Sequence, residues 1–140
     1  MTVVYTPAQM AAKLTRLHTE TIPALVKGMT DACLNVEGKC KIDCTLGKSR
    51  YYKAPYSDDN YPGRKPPHMR DTIEGKVVEV TSSSVRGVVG TPKEYAIHVH
   101  EGTSRMRARP FISDNIKDEE ETTIEILSEA IRGQVRRECV

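Results

Sequence analysis

Four residue groups have types and spacings that could do chemistry. His98 and His100 lie two apart, which puts both rings on one face if the run is a strand. With His68 or Glu101 they would make a metal site. The competing reading is a polar, solvated or intersubunit strand face, and it is favoured because a histidine pair alone is a weak ligand signal. Gly47-Lys48-Ser49 resembles the end of a phosphate-binding loop, but the first glycine of that motif is missing and a helix, not a strand, precedes it. There is no Gly-x-Ser-x-Gly elbow, and nothing in the spacing brings a Ser, a His and an Asp together. No catalytic residue, metal or cofactor is therefore expected.

Cys33, Cys40 and Cys44 fall on one face of a helix, at positions that otherwise read as core, and Cys139 lies near the end. No Cys-x-x-Cys pair accompanies them, so buried thiols in a reducing compartment are expected. Arg105, Arg107 and Arg109, with Lys48, Arg50, Lys53, Arg64 and Lys65, could form a basic surface for phosphate. The preferred reading pairs these loop arginines with acids of a neighbouring subunit, such as those opening the last helix. No known DNA-reading motif is present.

The elements that must hold these residues follow from periodicity. Thr6-Pro7-Ala8-Gln9 has a cap residue, a proline at the first helical position and a Gln three after the cap. Apolar residues then recur with helical spacing from Met10 to Cys40, predicting a long helix over 7–44, kinked near Pro23 or broken there. Straight, it would span about 57 Å at 1.5 Å per residue, longer than a domain of this size is wide. Residues 45–72 read as a long loop with four prolines and with Tyr51, Tyr52, Tyr56 and Tyr61. Tyrosines are good interface residues, which argues against a simple linker. Residues 73–101 read as a β-meander: two valine-rich runs around Ser82-Ser83-Ser84, then an alternating Tyr95–Glu101. A loop over 102–112 and a C-terminal helix over 113–138, capped by Ser113 or Asp114, complete one domain over 1–140.

The chain has 140 residues, 21 Lys plus Arg against 19 Asp plus Glu, no Trp and one Phe. A net charge of +2 excludes nucleic-acid binding by bulk charge. Residues 113–140, however, hold eight acids and four bases, so the remainder is clearly positive. No stretch reads as a transmembrane helix or a secretory signal.

Tyr95-Ala96-Ile97-His98-Val99-His100-Glu101-Gly102-Thr103, followed by Met106, Ala108, Arg109, Pro110 and Phe111, resembles the tail-completion (head–tail joining, or neck) family of long-tailed double-stranded DNA phages. Ala54-Pro55, Pro62-Gly63-Arg64 and Met69-Arg70-Asp71-Thr72-Ile73 stand where that family has a proline-rich loop and a later Leu-Arg-x-Ser-Ile-like segment. His100-Glu101 departs from the family's Glu followed by an aromatic. The motif covers residues 95–111 well, and the order of elements covers nearly the whole chain.

The resemblance implies an α+β fold, with a small antiparallel sheet packed against a long N-terminal helix and a C-terminal helix. It implies a structural virion protein at the head–tail junction of a siphovirus, assembled in the host cytoplasm. The implied partners are copies of itself in a ring, a hexamer favoured and a dodecamer as the alternative. The head-closure or connector protein, tail terminator and tail tube are further implied partners, with genomic DNA passing through the lumen without specific binding and no membrane involved. Interface residues are expected at Tyr51, Tyr52, Tyr56, Arg105, Met106, Arg107, Glu119 and Glu120. Tyr95, Ala96, Gly102, Thr103, Arg109, Pro110 and Phe111 are expected to be structural, with Gly102 at positive φ, Phe111 as an anchor and the Tyr95 ring buried beneath the sheet. The alternative function is a nucleic-acid-binding module using the arginine-rich loops.

Overall fold

The structure is a computed structural model, and it describes residues 4–45, 50–51, 69–105 and 107–139, apart from the side chain of Cys139. Its elements are helices α1 (Pro7–Asp43) and α2 (Met69–Thr72), strands β1 (Glu74–Val80) and β2 (Val85–Gly90), and helices α3 (Tyr95–Glu101), α4 (Phe111–Asp118) and α5 (Glu120–Cys139). The fold is α+β: a two-stranded antiparallel sheet packs against the long α1, and α4 and α5 return along the same helix.

Helix α1 starts as its sequence dictates. The Thr6 hydroxyl accepts from the Gln9 N–H at 3.3 Å, and the Gln9 side chain accepts from the Thr6 N–H at 2.9 Å. The helix runs unbroken through Pro23 to Asp43. Its buried face is confined to the second half: Gly28, Ala32, Cys33, Val36, Cys40 and Asp43. The hairpin crosses that half. Gly75 and Gly87 face Cys33, so closely that a Cβ on Gly75 would lie 2.5 Å from the Cys33 carbonyl oxygen. The Gly75 N–H donates to Glu37 Oε2 at 2.8 Å, tying β1 to α1. Ser82 and Ser83 form the expected turn, with Thr81 Oγ1 accepting the N–H groups of Ser83 and Ser84. A bulge between Val77 and Glu79 turns Val78 outward.

Three boundaries differ from expectation. Residues 95–101 are helical, so the meander ends after two strands. The β-branched residues suggested alternation, but burial selects Ala96 and Val99, three apart, while Ile97 stays 56% exposed. Met69–Thr72, expected within the loop, forms a helical turn whose Met69 is fully buried. The C-terminal helix starts at Phe111, not Ser113, with Pro110 at its N-cap and so no capping bond from that residue, and it is interrupted at Glu119. The core joins Val36, Cys40, Cys44, Met69, Ile73, Ala96, Val99 and Phe111. No helix of the described residues is long and apolar enough to cross a membrane.

Candidate functional site: the loop between α3 and α4 and its base

The segment from α3 to α4 is a loop held at both ends. Gly102 ends α3 with φ 79° and ψ 173°, a conformation essentially confined to glycine, and its N–H donates to the His98 carbonyl at 2.8 Å. At the other end the Arg109 N–H returns to the Val99 carbonyl at 3.0 Å. Pro110, at φ −76° and ψ 60°, centres an inverse γ-turn closed by the Phe111 N–H on the Arg109 carbonyl at 2.8 Å. Phe111, 2% exposed, then enters the core. The intervening Thr103, Ser104, Arg105, Arg107 and Ala108 are exposed. Rigid ends with an exposed middle suit a contact loop.

Where α4 begins, bonded to the Phe111 carbonyl, lies a polar cluster that sequence reasoning missed. Asp43 and Asn115 are buried. The Asn115 amide donates to Asp43 Oδ2 at 2.7 Å and to the Phe111 carbonyl at 2.6 Å. Arg50 closes the cluster: Nε donates to Asp43 Oδ2 at 2.9 Å, Nη2 to Asn115 Oδ1 at 2.7 Å and Nη1 to Asp118 Oδ2 at 2.5 Å. The bond to Asp118 foremost, and then the charge of Asp43, raise the Arg50 pKa further against the opposing effect of burial. The Tyr51 hydroxyl donates to Asp114 Oδ2, and burial followed by that carboxylate raises its pKa. Two signals could have exposed the cluster. Asp43 continues the buried α1 stripe of Val36 and Cys40, and Asn115 follows Phe111 by one helical turn.

The expected site residues are therefore sorted differently from the sequence reading. Arg50 does meet one acid of the C-terminal helices, Asp118, but within its own chain. Glu119 is likewise held internally, by Asn35 at 2.7 Å and Lys39 at 3.7 Å. Arg105, Arg107 and Glu120 are exposed, and Tyr51 is half-buried. Tyr95 is 38% exposed, so its ring is not buried beneath the sheet. Tyr52, Tyr56, Met106, His68 and the Gly47-Lys48-Ser49 run lie outside the described residues.

His98 and His100 do not share a face, because residues two apart on a helix point in nearly opposite directions. His98 is exposed. His100 packs its ring edge-on to Phe111, centroids 5.9 Å apart. Its Nε2 lies 3.0 Å from Ser113 Oγ and accepts from the Ser113 N–H at 3.4 Å. The structure thus does bring a Ser and a His together. Acceptance of a first-turn N–H makes this imidazole a helix cap for α4. No cluster of three metal-ligating side chains occurs among the described residues. Cys33, Cys40 and Cys44 are buried and unbridged, as expected.

A second surface feature is apolar. An open groove of about 590 Å³ runs between β2 and the C-terminal helices, floored by Met29, Ala32, Cys33 and Val36 of α1. Ile116 and Ile124 line its far side and are about half exposed. In comparisons with known proteins, no family model, curated protein or solved structure matches the chain.

Proposed function

We propose that this chain is a structural subunit of the phage neck, assembling into a ring that completes the tail and joins it to the head connector, with no catalytic role. The supporting observation is the segment from Tyr95 to Phe111, whose pattern resembles that of tail-completion proteins. Here its Gly102, Arg109, Pro110 and Phe111 hold the two ends of an exposed loop against the core. A closed ring needs two different complementary patches on each subunit. The arginine-bearing loop 102–109 is one, and the exposed Glu120 at the start of α5 marks the other. Glu119 is engaged within the chain and is left out of the second patch.

Electron microscopy of the purified chain, alone and mixed with connector and tail-terminator proteins, tests the reading. Closed rings are expected. A chain that forms no ring in any of these mixtures overturns it.

Nucleic-acid binding is the second reading, and exposed Arg105 and Arg107 favour it, whereas Arg50 is withdrawn into the polar cluster. It requires DNA binding whose affinity falls steeply with salt. Absence of a gel shift at about 50 mM salt eliminates it.

A further inference from the structure

Helix α5 carries a solvent-facing stripe that its own chain leaves uncovered. One side packs on α1: Gln134 is buried and donates to Glu20 Oε2 at 2.8 Å, and Leu127 and Ala130 sit over Gly28. About a quarter-turn away, Ile124, Ser128, Ile131 and Val135 fall within about 60° of one another on the helix. The three apolar members are 55%, 39% and 38% exposed. Glu121, Glu125, Arg132 and Arg136 follow along one flank of this stripe, acids in the first half and bases in the second. None of these four makes a salt bridge within the described part of the chain.

We propose that this face binds a second copy of itself, with the two α5 helices antiparallel about a two-fold axis near Ser128 and Glu129. The occupant follows from charge order. In an antiparallel pair, like flanks face each other with the halves exchanged, so the acidic half of one copy meets the basic half of the other. One register places Glu121 opposite Arg136 of the other copy and Glu125 opposite its Arg132. The same register sets Ile124 midway between Ile131 and Val135 of the other copy, as a side chain packs into the hole of a facing helix. Charge and apolar spacing thus agree on a single alignment, and symmetry uses every contact twice. A parallel two-fold pair would set this flank against the opposite flank of the other copy, where Leu127 and Gln134 already lie on α1, and would leave the four charges unpaired. The pairing stands apart from the ring, because a two-fold contact uses the same patch on both subunits.

Sedimentation equilibrium of the full chain tests it with two variants, Glu121→Arg/Glu125→Arg and Arg132→Glu/Arg136→Glu. All four positions are exposed, and circular dichroism checks that each variant keeps its helix content. The unaltered chain is expected to form a dimer whose dissociation constant rises with salt. Each variant is expected to self-associate about 30-fold more weakly, since four ion pairs become repulsions. An equimolar mixture should dimerise again, because an all-basic flank then meets an all-acidic one. A monomeric unaltered chain at about 100 μM, within the weak-complex range, overturns the proposal. So does any dimer or larger assembly that is indifferent to both salt and charge reversal, or a mixture that stays monomeric. If a variant loses its helix content, the salt dependence of the unaltered chain decides.

Discussion

Phe111 is the chain's one phenylalanine and among its least exposed side chains. Its ring meets His100 edge-on, and its carbonyl accepts from both Asn115 and, weakly, the Cys40 thiol at 3.6 Å. Truncation to alanine removes the ring and leaves a cavity in a core whose other buried members, among the described residues, are aliphatic or sulfur-bearing. Phe111→Ala is expected to cost about 3–5 kcal/mol in urea denaturation. A loss below about 1 kcal/mol, the range of surface substitutions, would show that the ring does not anchor the joint. Two further side chains contribute to the response to base. Burial pushes the Cys40 and Cys44 thiols up to about 12 from an ordinary 9.0. An unfolded chain sheds these protons first, so their contribution to stability is intact below about pH 9 and declines as pH rises towards 12. At pH 8, iodoacetamide should leave both thiols unmodified in the folded chain and label them in urea. Rapid native labelling of either would contradict their burial.

Glycines make the element-scale argument, because their roles differ by what stands opposite. A methyl group at Gly75 would meet the Cys33 backbone, which cannot swing aside, so β1 must lift from α1 and strain the bond to Glu37. Gly38, on the exposed face of α1, has nothing within 4 Å of an added Cβ and takes no positive φ. Thermal melts should therefore move in opposite directions. Gly75→Ala is expected to destabilise by about 1–3 kcal/mol through overpacking, and Gly38→Ala to stabilise by up to about 1 kcal/mol through helix propensity. Equal effects would show that the hairpin does not crowd the helix at Cys33.

Elements with a local physical signature were legible in the sequence. The capping box opened α1, the valine runs and serine turn marked the hairpin, and three cysteines on one stripe marked buried core. Tyr95–Glu101 was misread because its β-branched residues imitate alternation, and only the tertiary position of Ala96 and Val99 decides for helix. The polar cluster was hidden for a related reason. Asp43 and Arg50 lie more than about 60 residues from Asn115 and Asp118, and only the fold brings the two pairs together.

At the scale of the whole molecule, burial is unevenly spread along the long helix. From Ala32 to Asp43 it carries core residues, whereas none of residues 7–27 is buried. Among the described residues its polar ties to the rest of the fold run to α5, through Arg16 to Glu138 at 3.4 Å, Glu20 to Gln134 and a weak contact of Lys13 with the Glu138 carbonyl. Arg16, Glu138 and the Gln134 amide hold the Glu20 carboxyl below its ordinary range, but exposed ion pairs of this kind add little. A pair of helices with so little sequestered apolar surface should open without the rest of the fold, since local opening follows the density of buried contacts. Hydrogen exchange is expected to show amides of residues 11–24 exchanging at least about tenfold faster than those of 32–43, a gap of about 1.4 kcal/mol. Pairing of α5 with a second copy would clamp this arm from its open side, so the gap should narrow as protein concentration rises. Uniform protection along α1 at low concentration would mean that the arm is as stable as the core it extends, and that the two-helix contact alone suffices to hold it.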